Sequence, residues 1–190
     1  RGERRYFTIA SSPTESTVKL GLKVVPNGSS YKSALLALDE GDEIIASQLA
    51  GDFVLPADPS VKLGFIAGGI GVTPFRSHIQ YMVDSGQTHD TTLFYCSNTV
   101  AELAYTDVFA AAAEHYPLNV VPVIAKEDVG NEYETGFIDA DMLARRCPDY
   151  QERHWYLSGP PPMVNAYEAL LKRAGVPARH IITDFFPGLA

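Results

Sequence analysis

From residue 62 onward, short apolar runs alternate with helix-forming segments, and this alternation confines the chain to a narrow set of folds. Residues 62–67, 91–97, 119–125, 154–158 and 180–184 read as strands. Residues 74–85, 102–115, 139–145 and 161–174 read as helices, the last stopped by Gly175. Strands separated by helices of this size pair in parallel through βαβ crossovers. The expectation is α/β: a doubly wound parallel sheet, whose ligands sit beyond the carboxyl ends of its strands. The earlier part of the chain has a different rhythm. Residues 6–11, 18–25 and 43–49 read as strands and residues 32–38 as a short helix, followed by the connector "GDFVLPADPS". A domain boundary near Pro59 gives two regions, residues 1–59 and 60–190.

With 190 residues, the chain suits one good-sized domain or two small ones. A net charge of −8 argues against broad, salt-driven nucleic-acid binding. It does not argue against a nucleotide, which needs local amides and one or two cations. Cys96 and Cys147 cannot by themselves make a zinc or iron–sulfur site, and the five histidines lack ligand spacing, so no metal is expected. Nothing resembles a signal peptide, and no apolar run is long enough to cross a bilayer, which makes a cytoplasmic setting the default. The opening "RGERRYFTIASSP", without Met, is expected of a segment cut from a longer protein. A membrane segment upstream would place the chain at the cytoplasmic face of a membrane.

Residues 64–77 read "GFIAGGIGVTPFRS": an apolar run, three closely spaced glycines, then Thr73 and Pro74 at a helix start. Thr73 suits a cap and Pro74 the first helical turn. Amides converging at such a turn favour negative charge, so the stretch reads as a phosphate-binding turn, though it matches neither GxGxxG nor the Walker pattern. Glycines there also serve packing, and that reading stands beside the first. Other candidate stretches fall at the ends of the expected strands: Ser97–Asn98, residues 125–127 and residues 158–162. Their agreement in position favours a nucleotide site.

Taken in order, "RYFTIASSP", "GGIGVTP", "YLSGPPPMV" and "TDFFPG" resemble the ferredoxin–NADP⁺ reductase superfamily over nearly the whole chain. The resemblance implies an antiparallel β-barrel that holds FAD, followed by a doubly wound domain that holds NAD(P)H. The chain would carry the later part of that barrel and a complete second domain. It further implies that Arg5 grips the flavin pyrophosphate, Phe7 lies against the isoalloxazine and Thr8 approaches flavin N5. The family usually has Tyr where Phe7 stands; stacking survives that change, but a phenolic hydrogen bond does not. Gly28, Ser29, Ser30 and Lys32 resemble a second pyrophosphate contact. Gly69 and Gly71 would let nucleotide phosphates approach the backbone, and Thr73 would face the flavin–nicotinamide contact.

Residues 158–163, "SGPPPM", resemble the Cys-Gly-Pro-x-x-Met turn, with Ser158 replacing the cysteine beside the nicotinamide and Gly159, Pro160 and Met163 shaping the loop. Phe186 would cover the flavin, and Asp184 would lie near N5 as a proton route or an acceptor. Ser97 and Asn98 would contact either nucleotide. Lys126 suits a 2′-phosphate, whereas Glu127 and Asp128 beside it suit a free ribose hydroxyl. The implied function is an FAD-dependent NAD(P)H oxidoreductase, with Thr8, Thr73, Ser158 and Asp184 around the reacting atoms. Its electrons would go to a carrier protein or an attached redox or membrane domain. The alternative is a nucleotide-binding regulatory or electron-relay subunit without turnover of its own.

Overall fold

The computed structural model describes residues 5–24, 30–47, 49 and 51–184. Its centre is a six-stranded parallel sheet of order β4-β3-β2-β1-β5-β6. The strands are β1 (Leu63–Gly68), β2 (Thr91–Ser97), β3 (Leu118–Ile124), β4 (Glu134–Thr135), β5 (His154–Ser158) and β6 (Ile181–Thr183). Helices α2 (Thr73–Ser85) and α3 (Thr106–Ala113) pack on one face, α4 (Ala140–Arg146) and α5 (Pro161–Arg173) on the other. Helix α1 (Ser30–Leu36) precedes the sheet in the chain.

Strand alternation explains the two layers. Phe65, Ala67, Leu93, Tyr95 and Tyr156 point to the face that buries Phe75, Ile79 and Met82 of α2 and Phe109 of α3. Ile66, Phe94, Val121, Trp155 and Leu157 point the opposite way, onto Leu143 of α4 and Val164, Tyr167 and Leu171 of α5. Strands covered on both faces need continuous apolar runs, and all six residues of β1 are buried. The chain leaves β1 toward β2 on one side and later returns to β5 on the other, so the strand order reverses between β1 and β5. In open α/β sheets such a reversal opens a crevice at the strands' carboxyl ends.

Several expectations are corrected. Among the described residues, the pairing expected of residues 6–11 and 18–25 reduces to one antiparallel bridge, Ile9 to Leu20, supported by Ala10 N–H donating to Lys19 O at 2.8 Å. Residues 43–47 form no ladder. Val18, Val24, Ile44 and Ile45 are exposed, so among the described residues these segments have no covered apolar side to hold a ribbon together. Helix α3 starts at Thr106 rather than at residue 102, after a short 3₁₀ turn over Val100–Glu102. Tyr105, at φ 60°, breaks the helical path, and Ala104 N–H donates to the Tyr95 hydroxyl at 2.9 Å instead of to a helical carbonyl. Thr73 does not cap α2. A 3₁₀ turn over Gly69–Val72 leads straight into the helix, which puts Val72 at the cap position and Thr73 inside. The two-residue β4 was not anticipated, because a strand that short carries no periodic signal.

Candidate nucleotide site at the sheet's switch point

A cavity of about 530 Å³ lies between the first lobe (the residues that precede β1) and the carboxyl ends of the strands. From the first lobe come Phe7, Thr8, Lys23 and Lys32; from the sheet side come the β1–α2 turn, the end of β2 and the β5–α5 turn. Three of the four stretches singled out in the sequence therefore converge on one space; the described part of the fourth, Thr183–Asp184, does not line it. Gly69, Gly71 and Thr73 line it, as do Ser97 and Asn98 after β2 and Ser158, Gly159, Pro160 and Met163 after β5.

The glycines divide between the two readings offered for them. Gly71 is a packing residue: a Cβ there would meet Ser158 O at 2.6 Å and Gly159 Cα at 2.7 Å. Gly68 likewise admits Met163, whose Sδ would be 2.5 Å from an added Cβ. Gly69 is different, with φ of 51° and open space where its Cβ would be. Like Gly136 across the cavity, at φ 85° and equally open, it turns bare backbone into the space, as close approach of a ligand requires.

Asp184 joins the lobes. Its Oδ2 accepts from Ser158 Oγ at 3.3 Å and from Thr8 Oγ1 at 3.4 Å, so a first-lobe hydroxyl and a sheet-end hydroxyl share one carboxylate. Burial pushes the Asp184 carboxyl up, and the two hydroxyls oppose that shift. Asp184 N–H continues the ladder by donating to Leu157 O at 2.9 Å, which fixes the side chain beside β5. Gly21 adds a second contact between the lobes: a Cβ there would lie 2.8 Å from the Tyr105 hydroxyl and 3.2 Å from Ile70 Cδ1.

Other expected residues lie elsewhere. Arg5 stacks over the Tyr31 ring at 5.5 Å and does not line the cavity, and neither do Ser30, Lys126 and Asp184, the last of which sits behind Thr8 and Ser158. Phe7 also stacks on Tyr31, with ring centroids 6.0 Å apart. Gly28, Ser29 and Phe186 fall outside the described residues. Glu127 turns away from the cavity to accept from Val100 N–H at 2.8 Å.

Sequence reasoning missed Lys23, Glu102, Cys96, Phe137 and Tyr167, all of which line the cavity. Phe137 is 75% exposed at the rim, directly after Gly136 at the end of β4; the "TGF" turn was the available signal. Burial pushes the Cys96 thiol up to about 12, and its Sγ lies 3.8 Å from the Tyr167 hydroxyl. Among the described residues, no cluster of three or more metal-ligating side chains exists, and no helix is long and apolar enough to cross a membrane.

Comparison with known proteins agrees with this geometry. The family described as "Oxidoreductase NAD-binding domain" matches residues 65–169, more than half of the chain. The chain belongs to this family. Ferredoxin–NADP⁺ reductases are among the solved structures that share its fold. It is 30% identical to the reductase component of propane 2-monooxygenase of Rhodococcus jostii (strain RHA1), over 97% of this chain and 51% of that protein. It is 29% identical to the phenol hydroxylase P5 protein of Acinetobacter pittii (strain PHEA-2), over 96% of this chain and 53% of that one. The crystal structure of the Amycolatopsis cytochrome P450 reductase GcoB superposes with a TM-score of 0.81 at 27% identity, covering 93% of this chain and 54% of that chain. The chain thus spans about half the length of the curated relatives it matches.

Proposed function

We propose that this chain supplies the nicotinamide-nucleotide site, and one wall of the flavin site, of an FAD-dependent NAD(P)H oxidoreductase that delivers electrons to an acceptor protein or an attached redox domain. The observation that carries this reading is the cavity at the β1/β5 reversal, where Thr8 and Ser158 meet on Asp184 from opposite lobes. When bound, FAD supplies the hydride-accepting and one-electron-releasing chemistry. The chain's own groups bind and align. Bare backbone at Gly69 admits a nucleotide, and Lys23 and Lys32 bring positive charge to the cavity for its phosphates. Phe137, exposed at the rim, offers a face to a flat base. Thr73 and Ser158 are small enough to leave room for a ring, while Phe7 and Thr8 form the opposing wall. On this reading residues 1–59 belong to the flavin region and residues 60–190 to the nucleotide region. Alignment of two rings is the protein's share of the rate, and it needs no strong acid or nucleophile.

The test is anaerobic addition of NADH or NADPH to the FAD-loaded protein, followed by the flavin's visible absorbance. Bleaching by either nucleotide is expected. Nucleotide binding with an unbleached flavin would instead favour a relay or regulatory subunit.

A further inference from the structure

Lys23 Nζ, from the first lobe, contacts Glu102 Oε1 of the sheet domain at 2.8 Å. Both residues line the cavity. The other carboxylate oxygen of Glu102 accepts from Ser97 Oγ and from Asn98 Nδ2, each at 3.4 Å. One acidic side chain therefore occupies a cation from one lobe and two neutral donors from the other, at the edge of the site. Lys32 Nζ donates to the main-chain oxygen of Lys23 at 2.8 Å, which brings a second ammonium to the same corner. The ion pair is solvated: the side chains of Lys23 and Glu102 are 46% and 32% exposed. Pairs of this kind hold weakly and exchange partners readily.

From this arrangement we infer that Glu102 is an internal competitor for the ligand's phosphate charge: it holds Lys23, Ser97 and Asn98 while the cavity is empty, and an anionic nucleotide displaces it. The inference rests on the nucleotide reading of the cavity and adds to it a gate between the lobes. A phosphate group offers more negative charge to Lys23 than a single carboxylate does, and Lys32 nearby increases that advantage. Displacement frees two polar side chains for the ligand and removes a contact that bridges the lobes. Glu102 therefore lowers affinity. A carboxylate that instead gripped a ligand hydroxyl directly would raise it, so the two roles predict opposite signs.

Calorimetric titration of the protein with NADH, NADPH and ADP decides between them. Glu102→Gln is expected to lower Kd by about two- to five-fold, the equivalent of one exposed ion pair, and the gain shrinks as salt rises. Lys23→Gln is expected to raise Kd. In the double variant the effect of Glu102→Gln shrinks, because the cation it competes for is gone and only Ser97 and Asn98 remain to be released. Weaker binding by Glu102→Gln, or an equal gain with Lys23 already removed, overturns the gate while leaving the nucleotide site intact. No uptake of any of the three ligands by the unaltered protein overturns the nucleotide site and the gate together.

Discussion

Asp184 concentrates the chemistry of single residues in this molecule. Its carboxylate is half-buried, accepts two hydroxyl donors and has its proton affinity raised by burial. The folded-state value lies above the unfolded one, so the charge destabilises the fold as pH rises through the carboxylate range. Asp184→Asn is therefore expected to raise the thermal midpoint at neutral pH, with the gap closing as pH falls through that range. Scanning calorimetry across pH checks this. Sequence alone could list Asp184, Ser158 and Thr8 as candidates, but it could not join them. Thr8 and Asp184 are 176 positions apart, and only folding brings them within 3.4 Å. Gly71 carries the reverse lesson. Its role is to let two turns touch, and no local pattern distinguishes that from a role in holding phosphate.

Helix α2 ties the first lobe to the sheet at several points. Arg76, buried on this helix, forms an ion pair with Glu15, with Arg76 Nη2 at 3.0 Å from Glu15 Oε1, and also donates to Ala10 O at 3.1 Å. Ser77 Oγ donates to Ser11 O at 2.8 Å, one residue further along the helix. The Arg76 hydrogen bond holds the Glu15 carboxyl down at about 2. His78, on the same helix, stacks on Phe53 and donates from Nε2 to Phe53 O at 3.1 Å, and burial depresses it to about 4. Both folded-state values lie below the unfolded ones, so both groups stabilise the fold above the unfolded value and lose that contribution as pH falls. The His78 contribution is lost between about 6.5 and 4, and that of Glu15 between about 4.5 and 2.

Urea titrations at a series of pH values are expected to show stability falling in the upper window first. His78→Phe, which keeps the stack, is expected to flatten that upper window and leave the lower one. The existence of α2 was legible from Pro74 and the apolar spacing that follows. Its buried polar residues were not, because a charged side chain in a helix reads as solvated until its partner, 61 positions away, is known.

At the scale of the molecule, the two lobes are unequal in cohesion. The sheet has apolar cover on both faces, whereas the described part of residues 5–62 holds one isolated bridge, one short helix and many exposed apolar side chains, Ile45 among them. Amides of β1, β2, β3 and β5 are expected to exchange with solvent at the rate of global unfolding, and those of residues 5–24 and 30–47 far faster. Mass-spectrometric hydrogen exchange reads this directly, and uniform protection across both lobes would contradict it. Saturation with nicotinamide nucleotide is expected to slow exchange at the Gly69–Val72 turn and the turn after β5, since binding draws on the folded state alone.

The amino-acid sequence determined the parallel sheet, most helix positions and the stretches that line the cavity, because strand and helix periodicity and glycine–proline punctuation are local properties of the chain. Tertiary structure decided the rest. It brought Thr8 to Asp184, set Lys23 against Glu102, reduced the pairing of the first two expected strands to a bridge and sorted the β1–α2 glycines into those that pack, Gly68 and Gly71, and Gly69, which faces open space. Each of these depends on which surface meets which across long stretches of chain, and a contact between two surfaces is not encoded in the period of either one.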